Sequence, residues 1–414
     1  MKLLHVTPHL GGGVGKAHAA LSAVLPRQAI EQTFLLLEEP RDRRYAGVIE
    51  ANGARVVVAD SLDHVARLAG AADIVQFEFW NHPRLLECLV RTDFPPIRCV
   101  FWSHISGLCS PLIPPGLMRE AARFVFTTEA SFGAREAAAL RVTPKKLAVI
   151  NSGFGFAGAP AHSKNKKKKK KNRRRAITYL GTVDFVKMHP GFFDVIDAIT
   201  DDIKVSVWGK PTEAVRARAA ALRHPGRVVL RGETSDPAAA LAESDIFFYP
   251  LLPDHYGTAE NALVEAMSLG LVPVVMNNPA ELAIVRDADT GFVAASIEEC
   301  AALLQMLLLL PDVLERISGN AIKHVAETRT PEISAREFMI LWLGLLGEPP
   351  RRPDFQAALG GTPAEWFTAT QGSPRGALEA SSSRNREQPS KGTLTHFETV
   401  FAGDPSLAQL RKSG

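Results

Sequence analysis

The chain has 414 residues, more than one hydrophobic core usually covers, so two domains are expected. Apolar residues make up 46% and charged residues 22%, the balance of a packed globular protein rather than a disordered or fibrous one. The net charge of +4 is local in origin. Lys164, Lys166 to Lys171 and Arg173 to Arg175 put ten positive charges into twelve residues, and the other 38 of the 48 basic residues face 44 acidic ones. The overall basicity therefore gives no ground for a nucleic-acid surface, and no nucleic-acid partner is expected.

Cys88, Cys99, Cys109 and Cys300 are widely spaced and form no Cys-x-x-Cys pair, which argues against a zinc site or a disulfide scaffold and fits a reducing, cytoplasmic setting. The segment Met1 to His9 reads as a first strand, with no long apolar stretch or small-residue cleavage site after it. The most apolar runs, Leu303 to Leu310 and Phe338 to Leu346, are each roughly half the ~20 residues that cross a bilayer.

In chain order, short apolar runs alternate with helical patterns. Leu3 to Val6, Gln32 to Leu37, Ala54 to Ala59, Asp73 to Phe79, Arg98 to Trp102, Phe124 to Thr127 and Leu147 to Ile150 read as buried strands. Between several of them lie helix-like stretches such as Ala17 to Leu25, Leu62 to Ala69 and Ser131 to Leu140. Strands separated by helices imply βαβ units and a parallel sheet.

The pattern then restarts. Ala176 to Leu180, Val205 to Trp208, Arg227 to Arg231, Ile246 to Tyr249, Val272 to Met276 and Phe292 to Val293 form a second strand series. Helices are expected at Phe192 to Ile199, Thr212 to Ala221, Ala238 to Ala242, Glu260 to Leu269 and Ile297 to Leu310, the last opened by a Ser296–Glu299 capping box. This predicts an α/β first domain over 1–160, a basic linker over 161–175 and a second α/β domain over 176–332. A crossing helix over 333–347 follows, then a tail over 348–414 that is largely disordered on its Pro, Gly, Ser and Arg content, with a short docked helix at 397–410. The run Lys166 to Lys171 reads first as a solvated linker. Its sharper reading is a peripheral foot on an anionic membrane.

Gly11-Gly-Gly-Val-Gly-Lys16 follows the first strand and opens a helix, where backbone N–H groups can approach a phosphate or sugar. It is not a P-loop: Leu10 stands five before Gly15 where that motif has glycine, and Ala17 has no hydroxyl for a metal ion. A purely structural glycine turn is the alternative.

Four segments of the second half carry the most specific signal. They are Tyr179-Leu-Gly-Thr-Val-Asp-Phe-Val-Lys187, Ser244 to Pro250, Tyr256 to Met267 and Gly270-Leu-Val-Pro-Val-Val. Together they resemble the donor-binding domain of the retaining glycosyltransferases of family 4. Gly11 to Gly15 and Phe101-Trp-Ser-His104 resemble that family's first domain. The resemblance covers roughly residues 1 to 345 and is sharpest over 244 to 294. It implies a GT-B fold, with two Rossmann-like domains whose parallel sheets face each other across a cleft.

It further implies transfer of a sugar from a nucleotide-sugar co-substrate to a glycan, lipid-linked or small-molecule acceptor, with retention of configuration and without metal or other cofactor. Lys187 would contact the diphosphate, Glu265 the ribose, and N–H groups around Thr258 to Asn261 the phosphates. Gly12, Gly13 and Gly181 would let backbone approach the donor, and His104 would lie near the transferred sugar. Trp80 and His82 are candidates for the acceptor side, with ordinary packing as the alternative. A lysine and helix N-terminal amides can stabilise a leaving diphosphate electrostatically.

Two positions depart from the family pattern. Gly257 stands eight before Glu265, where the family commonly has a first glutamate, and Thr182 replaces an arginine. Glu260 is a candidate substitute for the missing carboxylate, opposite a position usually held by glycine. Two alternatives stay open: a catalytically degenerate nucleotide-sugar-binding module, and a nucleotide-sugar epimerase.

Overall fold

The computed structural model describes residues 1–412 except Arg41, 141–145, 154–174, Asp254, Tyr256, Thr258 and 373–391. The expected linker and the run Lys166 to Lys171 lie outside the described residues. The chain forms two compact units, one of residues 1–153, 256–259 and 331–414, the other of 154–255 and 260–330.

Unit 1 is built on seven parallel strands: β1 (Lys2–Thr7), β2 (Glu31–Leu36), β3 (Arg55–Val58), β4 (Ile74–Phe79), β5 (Cys99–Ser103), β6 (Arg123–Phe126) and β7 (Leu147–Val149). Their order is β3-β2-β1-β4-β5-β6-β7, so the direction of winding reverses between β1 and β4. Those strands are apolar on both faces because helices cover both, as a parallel sheet requires. β4 and β5 are buried along their whole length, and Phe77, Phe101 and Phe124 stack through the core at centroid spacings of 5.0 and 5.6 Å. The expected helix from Ser131 is a 3-10 turn, Glu129–Gly133, followed by a short helix, Arg135–Leu140.

Unit 2 carries six parallel strands: β8 (Ile177–Leu180), β9 (Val205–Trp208), β10 (Val228–Gly232), β11 (Ile246–Tyr249), β12 (Val272–Met276) and β13 (Phe292–Ala294). Their order is β10-β9-β8-β11-β12-β13, and the reversal falls between β8 and β11. The helix Ile297–Leu309 starts where its cap predicts, with Ser296 accepting from the Glu299 N–H. The Glu299 carboxylate takes the N–H of Ala295 rather than that of the cap residue, so only half of the expected box forms.

The C-terminal region corrects the expectation of a largely disordered tail. Helices Phe355–Leu359, Pro363–Ala369, Leu394–Val400 and Pro405–Lys412 lie on unit 1 and share its core through Phe355, Trp366, Phe367, Leu394, Phe397 and Leu407. Average composition hid Phe355, Trp366 and Phe367, which sit in short, well-capped helices, while two helices rather than one lie where a docked helix was expected over 397–410. Asp354, Thr362 and Thr393 accept N-terminal N–H groups, and Thr362 with Glu365 forms a complete capping box. Phe355 meets Phe77, Phe94 and Phe101 edge-on at 5.7 to 5.8 Å, adding specific aromatic contacts to apolar burial. The helix expected to cross, Pro331–Leu346, also belongs to unit 1, where Trp342 donates its indole N–H to Gln76 on β4 at 3.0 Å. No helix among the described residues is long and apolar enough to cross a membrane.

Candidate functional site

In an open parallel sheet, ligands bind outside the carboxyl ends of the strands where the winding reverses. In unit 2 that point is the end of β8 and β11. Gly181 follows β8, and the Gly181–Thr182 turn is held by the Tyr179 hydroxyl, which donates to the Thr182 carbonyl at 2.8 Å. Lys187 is then pinned to the segment after β11. Its carbonyl accepts from Leu252 at 2.9 Å, and His189 N–H donates to Pro250 at 2.9 Å.

The Lys187 ammonium reaches Glu260 Oε2 at 2.9 Å and lies 5.8 Å from the centre of the Tyr249 ring. The Tyr249 hydroxyl donates to the same oxygen at 2.8 Å. On the other side His255 stands between two acids, with Nδ1 3.7 Å from Glu260 Oε1 and Nε2 3.0 Å from Glu281 Oε1.

Tyr249, His255, Glu260 and Glu281 are buried and Lys187 is half-buried, which sets the proton affinities of the acids and of the tyrosine. Burial raises the carboxyl of Glu260, but the charges of Lys187 and His255 outweigh it and bring the group below its ordinary range. Glu281 is raised by burial, against its hydrogen bond from His255. Burial and the neighbouring Glu260 charge push Tyr249 well above its usual value, so it stays a donor.

Glu260 caps the helix Asn261–Ser268 in a left-handed backbone conformation, φ 36° and ψ 56°. A glutamate there is sterically disfavoured relative to glycine, and the ion pair and burial of its side chain hold it in place. Asn261 opens the helix and Glu265 is buried one turn further on. Among the donor-side candidates, Lys187 and Glu260 are therefore in direct contact, and Asn261 and Glu265 share one helix. Thr258 lies outside the described residues. Tyr249 and His255 escaped the sequence reading, because a tyrosine ending a strand and a histidine in a loop carry no signal of a shared partner.

In unit 1 the reversal lies between β1 and β4. The loop after β1 carries Gly12 and Gly13, both exposed, at the start of the helix Gly12–Val24. Gly12 has φ 59°, and a Cβ on Gly15 would meet the Leu10 carbonyl oxygen at 2.0 Å, so the sharp strand-to-helix turn requires glycine at both. The loop after β4 holds Trp80 and His82, and the strand β5 is followed directly by His104. Trp80 lies 6.4 Å from His104 and 5.0 Å from His9, ring centre to ring centre.

Behind His104 lies a polar cluster inside an apolar sheet. Glu78 on β4 is fully buried and takes His104 Nε2 at 2.8 Å, Gln76 Nε2 at 3.0 Å and His5 Nδ1 at 3.3 Å, with His18 Nε2 at 3.0 Å. Burial raises its carboxyl, yet His18, His104 and His5 together bring it well below the usual range. Burial lowers His104, and it brings His5 down to about 4. The sequence held a signal for this cluster. Gln76 and Glu78 alternate in a strand otherwise apolar on both faces, and His5 sits opposite Gln76 in the register of β1 and β4.

Among the described residues, three groups of side chains bring ligand-type atoms within 4.8 Å of one another: His5, His18 and Glu78; His9, Glu38 and His82; His255, Glu260 and Glu281. In the second, Nδ1 of His9 and of His82 each accepts a backbone N–H, from Gly11 at 3.0 Å and Arg84 at 3.2 Å. Their protons then sit on Nε2, which leaves no lone pair directed at a cation. In the third, Oε2 of Glu260 is already taken by Lys187 and Tyr249.

Residues 161–324 match the family model described as "Glycosyl transferases group 1". The chain is similar in structure to a glycosyltransferase from Rickettsia africae, with 14% identity, a TM-score of 0.66, and coverage of 84% of this chain and 99% of that one. It is equally similar to HepE of Anabaena, solved in complex with UDP, with 15% identity, a TM-score of 0.66, and coverage of 83% and 100%. A lipopolysaccharide outer core galactosyltransferase, WaaB, aligns at 13% identity and a TM-score of 0.61 over 83% of this chain and 99% of that one. No curated protein matches its sequence. The fold is that of the GT-B glycosyltransferases.

Proposed function

We propose that the protein transfers a sugar from a nucleoside diphosphate sugar to a hydroxyl of a glycan, lipid-linked or small-molecule acceptor, with retention of configuration. The observation that carries this is the placement of Lys187, Glu260 and the start of the Asn261–Ser268 helix at the winding reversal of unit 2. A diphosphate there would meet an ammonium and helix N-terminal N–H groups, which stabilise the charge that develops as the glycosidic bond breaks. Glu265 would accept the ribose hydroxyls, and Gly181 would let the backbone approach.

Lys187 and the N–H groups would supply positive potential without a metal ion. No carboxylate is assigned as a nucleophile, since Glu260 is committed to Lys187 and Tyr249. Retention would then proceed by front-face displacement, with a donor phosphate oxygen receiving the acceptor proton. His104, Trp80 and His82 in unit 1 would face the transferred sugar and the acceptor. The family match over 161–324 and the UDP complex of the HepE structure support a nucleotide-sugar donor. A panel of nucleotide sugars and simple glycoside acceptors, followed by NMR of the anomeric product, tests the reading. It predicts metal-independent turnover with a retained anomer. Nucleotide binding with no turnover on any acceptor would favour a degenerate module instead.

A further inference from the structure

One hydrogen-bond chain in unit 1 has its direction fixed from end to end. An indole N–H can only donate, so Trp342 Nε1 at 3.0 Å makes Gln76 Oε1 the acceptor and settles the orientation of that amide. Gln76 Nε2 is then the donor to Glu78 Oε1 at 3.0 Å. An ionised carboxylate only accepts, so Glu78 Oε2 receives its 2.8 Å hydrogen bond from His104 Nε2–H. A neutral imidazole with its proton on Nε2 keeps its lone pair on Nδ1. Trp342, Gln76 and Glu78 are fully buried, which leaves this order no water to reverse it.

From this chain we infer that Glu78 is a positioning residue, which holds His104 in the Nε2–H form so that Nδ1 accepts a hydrogen bond from a hydroxyl of the bound sugar. The statement about substrate rests on the reading of His104 as a neighbour of the transferred sugar, while the statement about the proton does not. The polar surroundings of Glu78 support the assignment: His5 Nδ1 and His18 Nε2 also approach the carboxylate, at 3.3 and 3.0 Å. The Trp342 donor comes from the helix Pro331–Leu346 and settles the Gln76 amide as a donor to the Glu78 carboxylate.

Glu78→Gln keeps the shape and reverses the last link. Gln76 still donates to the new carbonyl oxygen, and the new amide nitrogen then donates to His104 Nε2, which drives the proton to Nδ1. Two-bond proton–nitrogen correlation spectra of histidine-labelled full-length protein report the form directly, with His104→Gln providing the assignment. The expected result is the Nε2–H form in the wild type and the Nδ1–H form in Glu78→Gln. Trp342→Phe, which removes the donor to Gln76 but not the charge on Glu78, should keep the Nε2–H form. With the nucleotide sugar that the wild type turns over, Glu78→Gln should lower kcat by about tenfold or more. Its affinity for the nucleoside diphosphate should stay within about threefold, since the site in unit 2 is untouched.

A wild-type Nδ1–H form overturns the inference outright. So does a reversed form in Glu78→Gln with unchanged kcat, which would make the cluster purely structural. If the wild type shows no turnover on any donor, the functional reading fails, and the spectra still decide the proton position.

Discussion

The Lys187 ammonium lies 2.9 Å from Glu260 Oε2, with both side chains nearly out of contact with water. A buried pair of this kind contributes little net stability while intact, and removing one partner strands the other charge. Lys187→Met should therefore destabilise the protein by about 3 kcal/mol. Adding Glu260→Gln should recover more than half of that loss. Denaturant unfolding of the two single variants and the double variant measures it. Equal destabilisation in the single and double variants would mean that Lys187 acts through packing alone.

Acid should weaken unit 1 in two overlapping windows. His5 is held near 4 by burial against 6.5 in the unfolded chain, so the unfolded state binds more protons between those values and stability falls as pH drops through them. The span corresponds to about 3 kcal/mol. Glu78, held well below 4.5, adds a loss of the same sign once the pH passes below 4.5. A Tm series from pH 7.5 to 4 should decline steadily for the wild type and less steeply for His5→Gln between 6.5 and 4.5. Parallel curves would show that His5 is not the group responsible.

Two glycines of one loop should respond differently to alanine. A Cβ at Gly15 meets the Leu10 carbonyl oxygen at 2.0 Å and Tyr45 at 2.9 Å, so the backbone must shift, at about 3 kcal/mol. At Gly12 nothing lies within 4 Å, and only the left-handed φ of 59° opposes the side chain, at about 1 kcal/mol. Thermal or denaturant unfolding ranks them, and a larger loss at Gly12 would contradict the described turn.

The C-terminal helices should be integral to unit 1. Trp366 is fully buried, donates its indole N–H to the Gly360 carbonyl at 2.9 Å, and lies 5.4 Å beneath Arg91. Trp366→Ala should cost about 4 kcal/mol. A loss under about 1 kcal/mol would mean that this segment is not docked as described.

The strand series was legible because strands buried on both faces read as plain apolar runs. Thirteen such runs fall on the thirteen strands of the described residues within a residue or two at each end. The glycine turn at Gly12 to Gly15 and the start of the Asn261–Ser268 helix were legible for the same local reason. The helices Phe355–Leu359 and Pro363–Ala369 were not, because Phe355 and Trp366 are separated by glycines and polar residues, and only tertiary contact shows that they share one core. The Glu78 cluster showed only through the alternation of Gln76 and Glu78, because its members come from β1, β4, the loop after β5 and the helix Gly12–Val24. The Lys187–Glu260 pair spans 73 residues and needed the fold to bring its ends together.

The proposed activity depends on a nucleotide site at the β8–β11 reversal. Calorimetric titration of wild type, Lys187→Ala and Glu265→Ala with UDP, ADP and GDP, in buffer containing a chelator, tests it most directly. One of the three is expected to bind the wild type, and each substitution to weaken binding about tenfold or more, as losing a charge-assisted hydrogen bond would. Binding that is unaffected by both substitutions, or no binding of any nucleotide by folded wild type, would contradict it.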